Sequence, residues 1–411
     1  MPPDPKGDRS ERARLQPADL YAEPNALWPD YGRFRVRERL LLTGHSHQAW
    51  PDAGFAGQVR AWEHAAEFAD LKWGPAFEVA ESVRRHWARL LDDRDGDITL
   101  GQNTHELVAR FLSALDLRAR PRVVTTDGEF HSIRRQLDRL AEEGLEVVRV
   151  PVAGTATLAE RLAAEVDDRT AAVMVSSVLF GSARIVPHLA AVAEACTLHG
   201  AELLVDSYHH IDAVPFSVRA EGLDAAFVVG GGYKYCQLGE GNCFLRVPPG
   251  NRMRPLFTGW FSEFSALADA QRGAVVYGEG PDRFAGSTYD PTAHYRAEAV
   301  FSFFDERGLT PELLREVSQH QVGLLMERFD ALDLDPRVVR RDREVPLQQV
   351  AGFLALESDR AAELQQGLRE LGVLTDSRRN VLRFGPAPYL SDAQLMRAME
   401  TLEEAVRQLR S

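Results

Sequence analysis

Two short apolar stretches, each ending on a polar group, constrain this chain more than any other feature of its sequence. Ala201 to Val205 delivers Asp206, and Ala225 to Val229 leads through Gly230, Gly231 and Gly232 to Lys234, within the run VDSYHHIDAVPFSVRAEGLDAAFVVGGGYKYCQLGEG. Both belong to a longer alternation between about Pro75 and Gly250. Arg122 to Thr126, Glu146 to Val152 and Ala171 to Ser176 have the length and β-branched content of strands, while Ala76 to Leu91, Ile133 to Glu143 and Leu189 to His199 carry apolar residues at helical spacing. Strands that alternate with helices make a mainly parallel sheet covered on both faces, and ligands bind such a sheet beyond the carboxyl ends of its strands. The expected fold class is α/β, with Asp206 at a ligand-binding strand end.

The stretch from Pro248 to Pro291 is rich in Gly, Pro and aromatic residues and reads as loops, which at such length tend to be functional. From Ala297 the chain turns helical, then shows strand-like pieces at Gln348 to Leu356 and Asn380 to Phe384 and an amphipathic helix from Asp392 to Leu409, a smaller α+β unit. A chain of 411 residues exceeds the size of one core, so we divide it into an N-terminal arm and substrate-side segment (1–50), a large domain (51–295) and a small C-terminal domain (296–411). A net charge of −13, with basic residues dispersed among acids, argues against a nucleic-acid surface. No apolar run approaches the roughly 18 residues of a membrane span, and the N-terminus lacks the apolar segment of a secretory signal. Cys196, Cys236 and Cys243 show neither zinc nor redox spacing, so a cytoplasmic location is expected.

Asp206 and Lys234 together suit pyridoxal 5'-phosphate. A carboxylate against the pyridine nitrogen keeps it protonated, so that the ring accepts electrons from a substrate carbanion, and a lysine amine forms the Schiff base that tethers the aldehyde. Taken singly, each has an ordinary reading: a strand-end aspartate caps the next helix, and a lysine after glycines is a solvated turn residue. Further polar clusters fall where successive strand-to-helix turns converge. In GQNTHE, Gly101 to Glu106, Asn103 and Thr104 open an apolar helix, either as its N-cap or as an anion site for the cofactor phosphate. In DGEFHS, Asp127 to Ser132, Phe130 either lies flat on a cofactor ring or joins the core. In LTGHSHQAWPD, Leu42 to Asp52, His45 and His47 lack a third metal ligand, so no metal is expected; contacts to a substrate and a solvated loop are the two readings left. Cys236 is either a thiol within reach of substrate or a small buried side chain.

On these motifs the chain resembles the aspartate-aminotransferase-type (fold type I) superfamily of pyridoxal phosphate enzymes and, within it, the class V aminotransferase group, over about Leu40 to Arg407. Within class V the resemblance is to kynureninases. Asp206 and His209 match an Asp-x-x-His where cysteine desulfurases have Asp-x-x-Gln, and Tyr233, Lys234 and Tyr235 match a Tyr-Lys-Tyr. Glu129, Phe130 and Ser132 match a Glu-Phe-x-Ser that sets the phenyl ring over the cofactor. Gly259, Trp260 and Phe261 match a Gly-Trp-Phe loop, and Gly286 with Ser287 is similar to a Gly-Thr loop; in the family both loops reach the phosphate across a dimer interface. Arg383, Phe384 and Gly385, ahead of Ala387 and Pro388, are similar to an Arg-Phe-Gly whose arginine clamps the substrate α-carboxylate. Two segments depart from the pattern. Gln237 to Gly241 stand where the family has Asn-Gly-Gly-Pro-Gly, and Gly44 to Gln48 where it has Gly-Asn-Ser-Leu-Gly, a segment that lines the substrate side of the pocket.

The resemblance implies a homodimer with shared active sites. It gives Lys234 and Tyr233 catalytic roles, gives cofactor contacts to Asn103, Thr104, Phe130 and Ser132, to Asp206 and His209, and across the interface to Trp260 and Ser287, and gives substrate contacts to Arg383, His45 and Ser46. The implied reaction is hydrolytic Cβ–Cγ cleavage of L-kynurenine or 3-hydroxykynurenine to a (hydroxy)anthranilate and L-alanine, in tryptophan catabolism, with Lys234 removing the α-proton and Tyr233 supporting the phosphate. The alternatives are a class V aminotransferase, or a β-lyase or desulfurase acting on another amino acid. Desulfurase chemistry is disfavoured because Cys236 and Cys243 lie too close to the lysine motif for a long mobile loop. A further alternative is a non-catalytic cofactor-binding regulator, although the first 40 residues are too short and proline-rich for the DNA-binding module such proteins carry.

Overall fold

The computed structural model describes residues 14–93, 95–269 and 275–410, so the first thirteen residues of the expected N-terminal arm lie outside it. The strands in chain order begin with Leu40–Leu41 (β1), which belongs to the smaller lobe. The central sheet follows with Asp97–Gly101 (β2), Arg122–Thr126 (β3), Glu146–Val150 (β4), Thr170–Ser176 (β5), Glu202–Asp206 (β6), Phe227–Gly231 (β7) and Cys243–Val247 (β8). Its order is β2-β8-β7-β6-β5-β3-β4, with β3 to β7 parallel and β8 antiparallel to both neighbours. This is the α/β, mainly parallel architecture that the sequence pattern leads one to expect.

Residue alternation along the buried strands supplies two apolar faces, and each face has its own helices. Val124, Val173, Val175, Val205 and Val228 pack with Leu158, Leu162, Leu189 and Val192 from the helices Leu158–Ala164 and Leu189–His199. Val123, Ala172, Met174, Leu204 and Val229 turn the other way, onto Leu107, Phe111, Ile133 and Leu137 of the helices Thr104–Ala114 and His131–Glu142. A strand buried on both faces reads as an unbroken apolar run, as β5 does. β8 is equally buried, but Arg246 interrupts its apolar pattern and hides it from a periodicity reading.

The smaller lobe holds the antiparallel strands Leu354–Glu357 (β9), Asp376–Arg378 and Val381–Phe384, with Val373–Leu374 paired separately to β1. In chain order the last three are β10 (Val373–Leu374), β11 (Asp376–Arg378) and β12 (Val381–Phe384). The expected strand from Gln348 to Leu356 forms only at its end. Leu347–Gln349 is a 3-10 turn, and at Gly352 a Cβ would meet the Tyr235 ring at 2.4 Å, so the backbone there packs against the lysine loop instead of a neighbouring strand.

The segment before residue 50 is tied to the C-terminal lobe, and a helix spans the expected boundary at 295. β1 pairs in parallel with β10, the Asn25 side chain donates to Leu20 O and Pro388 O at 2.7 and 2.9 Å, and Trp28 Nε1 donates to Tyr389 O at 3.0 Å. Residues 14–50 are thus stitched to the C-terminal lobe and are no free arm. The helix Thr292–Arg307 runs across the 295/296 boundary and packs against Asp52–Phe68, where Gly57 permits close approach: a Cβ there would meet Tyr295 O at 2.4 Å.

Arg246 is fully buried, and its charge is matched inside the sheet. Nε donates to Asp93 Oδ2 at 2.6 Å and Nη1 donates to the carbonyls of Asp224 and Ala226 at 2.8 and 2.7 Å. Removing one partner of such a pair strands the other charge in a low-dielectric core. Asp93→Ala should therefore destabilise the protein by about 3 kcal/mol or more in urea unfolding; a change within about 0.5 kcal/mol, the range of ordinary surface substitutions, would contradict the assignment.

Candidate active site

Asp206 ends β6 and Gly231 ends the neighbouring β7, and the register Asp206↔Val229 brings Asp206 and the Lys234 loop to one rim of the sheet. The glycines before Lys234 are required by close packing. A Cβ on Gly231 would meet Cys243 Sγ at 2.5 Å and the Tyr208 hydroxyl at 2.6 Å, and one on Gly232 would meet the Leu238 side chain at 2.4 Å. Their absence lets Tyr208 lean across the strand end, with its ring centre 4.4 Å from Lys234 Nζ.

A cavity of about 410 Å³ opens at this rim. It brings together eight of the sequence candidates: Asn103 and Thr104, Phe130 and Ser132, Asp206 and His209, Tyr233 and Lys234. Lys234 is buried, and its Nζ lies 2.8 Å from His209 Nε2. Burial lowers the amine's pKa from 10.5 to about 7, against the charge of Asp206, which pulls it up. Burial also raises Asp206, opposed by the Tyr208 N–H that it accepts at 2.9 Å and by the Lys234 charge. His209 is held neutral, its pKa depressed well below the usual value by burial and by Lys234, and its Nδ1 has no hydrogen-bond partner. A lysine amine with a near-neutral pKa can take up and return protons at physiological pH.

Two expectations with open alternatives resolve in detail. Asn103 serves its own helix, accepting from Glu106 N at 2.9 Å, so an anion at this end would meet first-turn N–H groups and Thr104 more than the Asn103 side chain. Phe130 is no interior core residue; it lines the cavity, half-buried, with its ring edge-on to Phe180 at 5.4 Å and 5.4 Å from Lys234 Nζ. Glu129 beside it is buried, accepting from Thr126 Oγ1 at 2.6 Å and Ser176 Oγ at 2.5 Å; burial lifts its pKa to about 7 despite these donors. Cys236 is a buried side chain with its thiol pKa pushed well up by burial, which favours the structural reading.

Five candidates lie outside the cavity lining. Trp260 and Ser287 sit together, because Gly259 packs on Gly286 O and Phe261 N donates to it at 3.1 Å, but Ser287 lines a different cavity of about 290 Å³ with Arg84, Arg110 and His294. Arg383, expected to hold a substrate carboxylate bidentately, gives that fork to the chain's own Asp376: Nε and Nη2 donate to its two oxygens at 2.7 and 2.5 Å. His45 is not a cavity residue either; it is fully buried, with Nε2 2.8 Å from Asp376 Oδ1, and Ser46 Oγ donates to Thr43 O at 3.1 Å. Tyr208, Ser176, Phe180 and Asp376 were not singled out from the sequence. Asp376 comes opposite Arg383 only through the register of the β11–β12 hairpin, which no local sequence pattern announces.

No helix among the described residues is long and apolar enough to cross a membrane. Residues 75–336 match the family model described as Aminotransferase class-V. The chain is 22% identical over 344 residues to a protein named uncharacterized aminotransferase YcbU of Bacillus subtilis (strain 168), covering 82% of this chain and 86% of that protein. Among solved structures it is similar to the cystine C-S lyase C-DES in complex with cysteine persulfide (TM-score 0.77, 17% identity, 90% of this chain and 98% of that one). It is also similar to the apo cysteine desulfurase of Thermococcus onnurineus NA1 (TM-score 0.78, 16% identity, 96% and 99%). At these identities the structural likenesses establish the fold.

The depressed Lys234 amine carries a pH signature. Between about 7 and 10.5 the unfolded chain holds a proton on this amine that the folded chain lacks, so folding stability rises with pH across that window. Cofactor-free protein should gain thermal stability relative to Lys234→Met as the pH is raised through this range. A pH-independent difference between the two melting curves would contradict the desolvated amine.

Proposed function

The chain belongs to the class-V aminotransferase family, which uses pyridoxal 5'-phosphate, and on that premise we propose that it is a pyridoxal-phosphate enzyme acting on the α-amino group of an amino acid. The observation that carries this reading is the buried Lys234 amine sharing one strand-end cavity with Asp206. The donor set fits the cofactor: Asp206 for the ring nitrogen, Phe130 and His209 for the ring faces, Thr104 with the N–H groups opening Thr104–Ala114 for the phosphate, and Lys234 for the aldehyde. When bound, the cofactor supplies an electron sink for negative charge developing at the substrate α-carbon.

The chain's own groups then have defined work. Lys234 takes the α-proton, since an amine whose pKa is about 7 has a substantial neutral fraction near pH 7 and its conjugate acid can return the proton. His209 accepts from or donates to Nζ and keeps it directed into the cavity. Tyr233, whose phenol pKa burial raises to about 12, stays protonated and so keeps a hydrogen to donate, as to a phosphate oxygen. Phe130, Phe180 and Tyr208 wall the amine with rings and exclude water from it.

For the outcome of the reaction, we place amino transfer first and β-elimination second, ahead of the Cβ–Cγ hydrolysis implied by motif likeness. The relatives described above are named for an aminotransferase, a cysteine desulfurase and a cystine C-S lyase. Between the two sulfur chemistries elimination is favoured, because Cys196, Cys236 and Cys243 are all buried and their thiol pKa values are raised, chiefly by burial, leaving no thiolate to carry sulfur.

A second copy of the chain fits the remaining candidates. Phe55, Val59 and Trp62 form an exposed stripe on the helix Asp52–Phe68, and Leu71, Leu256, Phe257 and Trp260 are exposed beside the Gly259–Gly286 contact, an apolar area of the kind interfaces cover. Such a dimer would deliver Trp260 and Ser287 to the partner's cavity. Trp62→Glu should shift sedimentation from dimer towards monomer; a wild-type protein that sediments as a monomer would remove the shared-site reading.

Purified protein supplied with pyridoxal 5'-phosphate should show visible absorption that Lys234→Ala lacks, and the variant's turnover should fall by about 10²- to 10⁴-fold. Turnover that requires a keto acid identifies amino transfer, pyruvate released without one identifies elimination, and anthranilate fluorescence from L-kynurenine would restore the hydrolytic reading. Absence of cofactor absorption in the wild type would refute the proposal.

A further inference from the structure

We propose that Asp376 and His45 are positioning residues that hold Arg383 at the cavity wall for a substrate carboxylate; this deepens the amino-acid reading above and rests on it. Asp376 and Arg383 face each other across the β11–β12 hairpin, and the carboxylate takes the side edge of the guanidinium through Nε and Nη2. Nη1 donates to Phe180 O at 2.7 Å, and Phe180 is itself a wall of the cavity, so Arg383 lies one residue behind that wall. A guanidinium has five N–H donors. Three are used here, which leaves one on each terminal nitrogen for a ligand.

His45 supports the other side of Asp376. Because Oδ1 is a carboxylate acceptor, Nε2 must carry the hydrogen, and burial keeps the ring neutral by lowering its pKa to about 4. The unpartnered nitrogen is then Nδ1, a bare acceptor. Its place is made by Gly385, where a Cβ would meet Nδ1 at 2.1 Å, and by Phe353, whose ring centre lies 4.6 Å from the imidazole and 5.5 Å from the Arg383 guanidinium. Burial alone would raise Asp376, but the hydrogen bonds and charges of His45 and Arg383 outweigh it and hold the carboxyl well below its usual range. Asp376 is thus a permanent anion that cancels the Arg383 charge and fixes its plane. A carboxylate arriving from the cavity takes the two remaining N–H groups, one on Nη1 and one on Nη2, without any reorientation of the arginine, and orientation fixed in advance is what makes a bidentate clamp selective.

The test uses a ligand pair that differs by the carboxylate alone, L-alanine and ethylamine, titrated into holoenzyme and followed by the change in cofactor absorption. Wild type should bind L-alanine at least about tenfold more tightly than ethylamine. That ratio should fall by about tenfold in Asp376→Asn and in His45→Phe, with ethylamine binding and the resting absorption unchanged, and His45→Gln, which keeps an N–H donor, should recover most of it. Acetate binding measured by calorimetry should follow the same order without reference to the cofactor. If the wild type has no carboxylate preference, if the variants keep it, or if both ligands weaken equally, the proposal is overturned. If His45→Phe does not fold, Asp376→Asn decides alone. Cofactor absorption that fails to develop while the acetate order holds would remove the proposed function and leave this arrangement standing.

Discussion

The burial of the Lys234 amine beside the Asp206 carboxylate is the interaction on which the rest of the site depends. Desolvation penalises the ammonium strongly, and Asp206 restores only part of that loss, so the amine titrates near 7 instead of 10.5. Reaching that balance requires a dry rim. Tyr208, Phe130 and Tyr233 provide it, with ring centres 4.4, 5.4 and 5.6 Å from Nζ, and the bare backbone of Gly231 and Gly232 leaves them the room. The strongly buried parallel strands β5, β6 and β7 tolerate the cost because they bring Asp206 and Lys234 to one edge with their backbone hydrogen bonds already satisfied.

Two buried arginines show how the same motif of a side-held guanidinium serves different ends. Arg246 is paired by Asp93 and by the carbonyls of Asp224 and Ala226, and it is held on three sides by the chain's own oxygens. Arg383 is paired by Asp376 through both Nε and Nη2, and its third contact is the carbonyl of a cavity-wall residue, Phe180. A carbonyl contributes only a dipole to the guanidinium where a ligand carboxylate would contribute a full charge. The Phe180 contact is therefore the weakest of the three around Arg383, and it fixes the guanidinium edge that carries the two remaining N–H groups next to a cavity-wall residue.

Much of the sheet and the cofactor end of the cavity could be read from sequence, because both follow from local order along the chain: a strand run ends, and the polar residue after it lands at the rim. Asp206, Lys234, Phe130 and Thr104 are of this kind. What escaped depends on register or on distant segments. Asp376 meets Arg383 only through the β11–β12 pairing, and His45 meets Asp376 only because residues 40–45 run beside the C-terminal strands, with Gly44 N donating to Gly385 O at 2.8 Å. A polar histidine in a loop with glycine neighbours reads as accessible; its full burial comes from the other end of the chain. Trp260 and Ser287 illustrate the complementary limit, since their two loops do come together but away from the cavity that holds Lys234.

These differences divide the site into two halves of unlike construction. The cofactor end lies within one sheet, built from β2, β3, β5, β6 and β7 and the loops that follow them. The carboxylate end is assembled from the N-terminal segment, the β11–β12 hairpin and the turn after β5 that carries Phe180, three pieces of chain that meet only in the folded state. Contacts among distant segments are lost together when the lobes separate, whereas contacts at strand ends persist as long as the sheet does. Perturbations of His45 or Asp376 should therefore add to one another far less than either adds to a change at Asp206, because the first two share Arg383 as a common partner and the third acts through a different hydrogen-bonded group.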